Sequence, residues 1–134
     1  MIIDTDVLIW YFKGNKNALN VIKKHTPFSI SVITYMELIQ GMRNKNELQM
    51  LKKYLTKWNI KILQINENIS GKSMFLVENY YLSHSLELGD AIIGVTAREN
   101  QEILLTSNYK HYKIIQDLNI EIFKPDYEEG ANNA

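Results

Sequence analysis

The chain has 134 residues, of which 46% are hydrophobic and 22% charged, as is typical of one globular domain. Fifteen basic residues balance fifteen acidic ones, so the overall charge does not indicate a strongly basic nucleic-acid-binding protein, and a polyanion would need a local patch or a metal ion. The absence of cysteine excludes disulfides and thiolate metal sites, and no apolar run is long enough to span a bilayer. With no secretory signal pattern at the N-terminus, these features predict a cytoplasmic protein and no membrane partner.

Short apolar strands and amphipathic helices alternate along the chain. The predicted strands cover residues 2–3, 28–32, 60–65, 102–106 and 120–123. The predicted helices cover residues 6–12, 18–24, 34–43, 47–58, 67–82, 87–100 and 109–118, with Asn46 and Asn66 as N-caps of the fourth and fifth. This alternation predicts an α/β fold of three layers, α/β/α, with helices on both faces of one five-stranded parallel sheet. Residues 1–126 form the predicted domain, and residues 127–134 a polar, acidic tail.

Asp4 directly follows the apolar pair Ile2 and Ile3, at the predicted carboxyl end of the first strand. In an open parallel sheet this edge is where ligands bind. Taken singly, Asp4 has an ordinary explanation as the N-cap of the next helix, and Asp6 suits the dipole of the same helix.

Glu37 and Asp90 occupy early positions in two further predicted helices. Glu37 stands three residues after Thr34, which is the spacing of a capping box. Asp90 continues the apolar face that includes Ile93 and Gly94, so we expect its side chain to point inward, towards the edge of the sheet.

Asp4, Glu37 and Asp90 together predict a metal site. A carboxylate aimed at the boundary of the core is costly unless it is neutralised, and several such carboxylates in one place repel one another. A divalent cation relieves both effects, and ligands that are all oxygen suit Mg²⁺ or Mn²⁺. A metal held in this way can polarise a phosphoryl oxygen and generate a hydroxide nucleophile.

Four segments of the chain resemble the PIN-domain ribonucleases, in particular the VapC-type toxins of bacterial and archaeal toxin–antitoxin pairs. They are IIDTDVLI at 2–9, SVITYMEL at 31–38, LGDAII at 88–93 and LLTSN at 104–108. The resemblance extends from Met1 to about Phe123, and the ordered set is more specific than any single motif. It implies a Mg²⁺- or Mn²⁺-dependent endoribonuclease that acts on RNA, forms a homodimer and is neutralised by a cognate, VapB-like antitoxin protein.

The resemblance also implies roles for individual residues. Asp4, Glu37 and Asp90 fall on the catalytic and metal-binding acidic triad of the family, and further polar side chains are expected along the same edge: Asp6, Thr5, Thr106 and Asn108. The chain departs from the family in the loop of residues 107–112, which lacks the usual aspartate. Asn108 or His111 is the candidate for that place, and neither carries the negative charge that a second metal ion would require. Asn108 is equally well explained as the N-cap of the following helix.

Basic and aromatic side chains that border the predicted edge are candidate contacts for RNA. The candidates are Arg43, Lys110 and His111, with Lys13, Lys16 and Lys45 as further phosphate contacts and Tyr109 or Trp10 as stacking rings. For each basic residue the ordinary alternative is a solvated surface, and for Trp10 it is the core.

Two other functions are compatible with these patterns. Asp4-Thr5-Asp6 after an apolar strand is similar to the opening motif of phosphatases of the haloacid dehalogenase type, with Asp4 as the nucleophile. The chain is short for that class, and no paired acid motif with a suitably placed lysine follows. The other alternative is a catalytically silent PIN-like module that binds RNA or protein, because the fourth acid is missing.

Overall fold

The computed structural model of the protein describes residues 1–125, in which five strands and seven helices alternate. The strands are β1 (Ile2–Ile3), β2 (Ser29–Ser31), β3 (Lys61–Leu63), β4 (Leu104–Thr106) and β5 (Ile120–Ile122). The helices are α1 (Thr5–Phe12), α2 (Lys16–His25), α3 (Val32–Gln40), α4 (Lys45–Lys57), α5 (Glu67–His84), α6 (Leu88–Glu99) and α7 (Tyr109–Tyr112). The predicted domain end at 126 and the predicted tail lie outside the described residues.

All five strands form one parallel sheet in the order β3-β2-β1-β4-β5, which confirms the predicted fold class. The first strand of the chain is therefore the central strand of the sheet, and both of its residues are fully buried. Helices cover both faces, as parallel sheets require. No helix within residues 1–125 is long and apolar enough to cross a membrane.

The sheet divides the core into two clusters because successive strand residues point to opposite faces. Ile3 and Leu105 pack on one side with residues of α1, α2, α3 and α4. Ile2 and Leu104 pack on the other side with residues of α5, α6 and α7. Trp10 is half-buried against the first cluster, with the Lys13 ammonium 5.5 Å from the centre of its ring, so the core explanation of this tryptophan holds.

The predicted starts of α2, α3 and α4 are each two residues late, and α2 begins at Lys16 rather than at 18. The N-cap of α3 is Ser31, whose hydroxyl accepts a hydrogen bond from the N–H of Ile33, so Thr34 lies inside the helix and makes no capping box. The N-cap of α4 is Asn44, whose side chain accepts from the N–H of Glu47 at 2.9 Å, and Asn46 lies within the first turn. In α3 and α4 two polar residues of similar capping ability compete, and tertiary packing selects the earlier one.

The predicted helix over residues 109–118 is also wrong, because α7 ends at Tyr112. The chain then turns towards β5, and Asp117 adopts a left-handed conformation with φ of 63°. Asp tolerates this conformation better than most residues. The hydrophobic spacing that suggested a helix instead places Tyr112 and Ile115 against α6, where a Cβ on Gly94 would approach Ile115 Cδ1 to 2.5 Å and Tyr112 Cδ1 to 3.3 Å.

Glu99 connects α5 to α6. Its carboxylate accepts hydrogen bonds from Lys72 Nζ at 2.7 Å, Asn68 Nδ2 at 2.9 Å and Arg98 Nε at 3.2 Å. The hydrogen bonds from these donors lower the pKa of Glu99 to about 2, and the one from Lys72 has the largest effect. The two helices are thereby linked by polar contacts as well as by the second core cluster.

We expect Glu99→Gln to lower the free energy of unfolding at neutral pH by about 1 kcal/mol or less, because the lysine partner is 45% exposed. The folded-state pKa lies below the usual 4.5, so this contribution is complete above that value and is lost as the pH falls towards about 2. Urea unfolding at about pH 7 and about pH 3 should show the difference between variant and wild type shrinking at the lower pH. Glu78→Gln, an exposed change on the same helix α5, is the control and should show no such trend. An equal difference at both pH values would contradict this account.

Candidate metal and active site at the carboxyl edge of the sheet

The carboxyl ends of β1 and β4 bring Asp4 next to Thr106. The two strands pair with Ile3 opposite Leu105, so the residues that follow lie side by side. The Thr106 hydroxyl donates a hydrogen bond to Asp4 Oδ2 at 2.8 Å, and the N–H of Thr5 donates to Asp4 Oδ1 at 2.8 Å. Asp4 is therefore the N-cap of α1, and its side chain is held at the edge where the sequence predicts a ligand.

Asp4 is 3% exposed, and its environment opposes its ionisation. Burial raises the pKa of Asp4 to about 7, and the neighbouring charge of Asp6 adds to the rise, whereas the hydrogen bonds from Thr106 and Thr5 work against it. A carboxyl group with such a pKa gains free energy when a cation binds beside it. Asp4 thus caps α1 and also has an electrostatic environment in which a nearby cation would be favourable.

Asp90 lies in the first turn of α6 and, as expected, faces inward, with 22% of its side chain exposed. Burial raises the pKa of Asp90, the carboxylates of Glu87 and Glu37 act in the same direction, and His111 opposes them. The Nδ1 atom of His111 lies 3.3 Å from Asp90 Oδ2. The histidine that stands in the loop without an acid is therefore in contact with an acid of the predicted triad.

Glu37 is exposed and reaches the site from α3. The Thr5 hydroxyl forms hydrogen bonds with Glu37 Oε1 at 2.6 Å and with the Thr34 hydroxyl at 2.9 Å. A Cβ on Gly89 would lie 3.5 Å from Glu37 Oε2, so the carboxylate rests against the first turn of α6, next to Asp90. Thr34 thus supports the site through Thr5, although it was interpreted as a helix cap.

Asp4, Glu37 and Asp90 lie at the same edge of the sheet, but their side chains are not arranged as a complete set of metal ligands. Within residues 1–125, no group of three or more His, Asp or Glu side chains is arranged to hold a metal ion. Mg²⁺ in proteins commonly uses one or two carboxylates and keeps several water ligands. Asp4 is buried and Asp90 is half-buried, and both have raised pKa values and offer oxygen atoms, so the chemistry of each suits such a cation.

The remaining polar candidates have clear local roles. Asp6 accepts hydrogen bonds from the N–H of Ser107 at 3.0 Å and from the Ser107 hydroxyl, so it ties α1 to the loop after β4. The side chain of Asn108 makes no capping hydrogen bond, and its N–H donates to the Thr106 hydroxyl at 3.0 Å. Ser107 is part of the fourth sequence motif, where it has no predicted role, although a serine after the strand-ending threonine is a polar signal at the same edge.

The candidate RNA-contacting residues differ in their position relative to the acids and in whether they already form an ion pair. Lys110 and His111 are exposed at α7, beside the acids. Arg43 is exposed but forms an ion pair with Glu47 at 2.7 Å, in the segment between α3 and α4. A cleft of about 920 Å³ extends from the acids between α3, α5 and α6, and its wall includes Met36, Tyr81 and Leu88.

A second buried residue that the sequence interpretation missed is Tyr112. Its side chain is fully buried, and its hydroxyl lies close enough to Asp4 and Asp90 to affect the pKa of both carboxyl groups. In the sequence, nothing distinguishes this tyrosine from the other aromatic residues of the chain.

The fold, a five-stranded parallel sheet between two layers of helices, is that of the PIN-domain class that the four motifs resemble. Residues 1–115 match the family model of the PIN domain, and the chain belongs to this family.

Particular relatives agree with this assignment. The chain is similar to "Ribonuclease VapC10" of Mycobacterium tuberculosis, with 27% identity over 135 residues that cover 98% of this chain and 99% of the relative. It is similar to a solved toxin–antitoxin complex from Klebsiella pneumoniae, with a TM-score of 0.76, 27% identity, and coverage of 92% of this chain and 97% of that chain. Its fold also matches that of DNA-bound VapBC from Salmonella typhimurium, with a TM-score of 0.78, 18% identity, and coverage of 92% and 97%.

We expect Asp4→Asn to stabilise the metal-free protein, because the amide removes a buried charge and can still accept from the N–H of Thr5. The folded-state pKa of Asp4, about 7, lies above its usual 3.8, so the wild type loses stability as the pH rises between these values. In EDTA at about pH 8, thermal unfolding should show the variant more stable by roughly 1–3 kcal/mol.

Glu78→Gln is the matched control, because it removes a carboxylate charge at an exposed position of α5 outside the site. It should not stabilise the protein. If Asp4→Asn melts at a lower temperature than the wild type in EDTA, the buried carboxylate does not destabilise the metal-free protein, and this account is wrong.

Proposed function

We propose that this chain is a divalent-metal-dependent endoribonuclease and the toxin component of a toxin–antitoxin pair, acting in the cytoplasm. The observation that carries the proposal is the buried Asp4 at the carboxyl end of the central strand, with Asp90 on the same side of the sheet. Membership of the PIN-domain family and the similarity to a protein named as a ribonuclease support the reaction class.

Asp4 and Asp90 would hold Mg²⁺ or Mn²⁺. When bound, the metal supplies Lewis-acid stabilisation of the phosphate and a water of lowered pKa. The N–H of Thr5 and the hydroxyl of Thr106 keep both oxygens of Asp4 oriented, which reduces the reorganisation needed on binding. Glu37, exposed and held by Thr5, either adds a ligand or accepts a proton from the attacking water.

RNA would approach over the open side of the site. Lys110 is exposed and next to His111, and both can contact phosphate oxygens. The ring of Tyr109 is 45% exposed on the same helix and can stack on an unpaired base. The site therefore favours single-stranded segments or loops over regular duplex.

A phosphatase of the haloacid dehalogenase type is not favoured. The chain belongs to the PIN-domain family, and the hydrogen bonds to both oxygens of the buried Asp4 suit a fixed ligand better than an attacking nucleophile.

We expect the purified chain to cleave single-stranded RNA with Mg²⁺ or Mn²⁺ and to lose this activity in EDTA. Asp90→Asn should lower the rate at least about 100-fold, because it removes a charge that binds the metal. Asp117→Asn makes the same chemical change at an exposed turn outside the site and should retain activity. Cleavage that survives EDTA, or that persists in Asp90→Asn, would remove the metal mechanism. RNA binding without turnover at any metal concentration would instead indicate a silent binding module.

A second groove offers a surface for an antitoxin. It has a volume of about 590 Å³ between α1, α3 and α4, and its exposed apolar residues include Ile9, Phe12 and Met50. Glu37 lines the same groove, so a segment bound there would reach the candidate site. The solved relative from Klebsiella pneumoniae is itself a toxin–antitoxin complex.

We expect the product of a neighbouring small reading frame to co-purify with this chain and to suppress its nuclease activity. Phe12→Asp should reduce the co-purified amount by about 10-fold or more, because it places a charge in the apolar groove. Leu19→Asp, an equally drastic change at an exposed position of α2, should leave binding intact. Equal recovery with both variants would place the partner elsewhere on the surface.

The homodimer that the resemblance implies also has a candidate surface. Exposed apolar side chains lie along α5 and at the start of α6: Met74, Phe75, Tyr81, Leu82 and Leu88. Several exposed large apolar side chains on two packed helices are a feature of protein interfaces.

A further inference from the structure

The ring of Tyr112 packs against α6 at Gly94, where the helix carries no side chain. A Cβ on Gly94 would stand 3.3 Å from Tyr112 Cδ1, so the ring packs directly on the backbone of this helix. Asp90 and Gly94 are four residues apart and share a face of α6, one turn from each other. Because the ring of Tyr112 lies over Gly94, the hydroxyl at its tip can extend one turn along α6 to Asp90.

The Tyr112 hydroxyl is buried beside Asp4 and Asp90, near enough to influence the pKa of both carboxyl groups as a hydrogen-bond donor, yet it forms no hydrogen bond of ordinary length and angle within residues 1–125. Burial and the charges of Asp4 and Asp90 raise the pKa of the phenol well above its usual value, so the hydroxyl keeps its proton. A neutral hydroxyl beside two carboxylates can act towards them only as a hydrogen-bond donor.

A buried polar group without a partner is rare, because leaving it unpaired costs free energy. The other donors at the site are already engaged: Thr5 and Thr106 each donate to one oxygen of Asp4. The unpaired hydroxyl therefore points to a second arrangement of the site, in which ionised carboxylates have moved within its reach. A cation held between Asp4 and Asp90 would produce that arrangement.

We propose that Tyr112 is a positioning residue for the metal, whose hydroxyl donates a hydrogen bond to the Asp4–Asp90 pair when both carboxylates bind one divalent cation. This inference rests on the proposed metal-dependent function. Groups that hydrogen-bond to metal ligands fix the orientation of those ligands, and their loss typically weakens metal binding by about 10- to 100-fold. Tyr112 would in this way contribute to a site whose loop supplies no fourth carboxylate.

Tyr112→Phe tests the proposal because it removes the hydroxyl and keeps the ring on Gly94. Mn²⁺ binding is measured by electron paramagnetic resonance of the free ion, and thermal unfolding is measured in EDTA. We expect the dissociation constant for Mn²⁺ to rise by about 10-fold or more, while the metal-free melting temperature stays the same or rises. In RNA cleavage, the Mn²⁺ concentration for half-maximal rate should rise more than the rate at saturating Mn²⁺ falls.

Tyr80→Phe is the matched control, since Tyr80 packs against the same core cluster from α5 and belongs to no part of the site. It should leave Mn²⁺ affinity unchanged. If the wild type binds Mn²⁺ and Tyr112→Phe binds it equally well, the inference is wrong and the proposed function stands. Weaker binding together with a clear loss of metal-free stability would also overturn it, because the hydroxyl would then have a partner without metal. A wild type that binds no Mn²⁺ would overturn the inference and the metal mechanism together.

Discussion

The burial of Asp4 is the constraint on which the rest of the site depends. A carboxyl group that is 3% exposed stands at the end of the central strand, where main-chain pairing on both sides prevents it from moving away. Its pKa of about 7 means that the folded chain keeps a group whose ionisation is unfavourable. The burial of this carboxyl group lowers the stability of the metal-free fold at neutral pH, and a cation bound beside it would offset that cost.

The surrounding residues hold that carboxyl group in place, either by hydrogen bonds to it or through another side chain. Thr106 and the N–H of Thr5 orient it, and the hydroxyl of Thr5 extends the contact to Glu37 on α3. Asp90 enters from α6 on a face that small residues hold against the neighbouring elements. Each acid thus comes from a different element, and the order of the strands in the sheet is what makes them neighbours.

The fold and the location of the acids were predictable because they depend on local patterns. The run from Ile2 to Asp4 indicates a buried strand with a carboxylate at its end, and the face shared by Asp90 and Gly94 indicates an inward orientation. The predictions that failed concern helix boundaries, which depend on competition between possible capping residues or on tertiary contacts. Ser31 and Asn44 cap their helices in place of equally plausible residues, and the end of α7 at Tyr112 is set by packing on Gly94.

The hydroxyl of Tyr112 was not predictable at all from the sequence. An aromatic residue in an amphipathic segment indicates core, and for the ring this is correct. The position of one polar atom at its tip depends on the absence of a side chain at Gly94, eighteen positions earlier. The roles of Thr34 and Ser107 were missed for the same reason, since each contacts a residue that is distant in the chain.

The hydrogen bond between Asp4 and Thr106 joins residues 102 positions apart. During synthesis on the ribosome, the first strand leaves the exit tunnel long before the strand that carries Thr106. Contacts of such long sequence separation form late, because the chain between them must first be ordered. The nascent polypeptide therefore passes through most of its own translation before Asp4 and Thr106 meet, and the candidate site is incomplete for as long as the growing chain lacks its fourth strand.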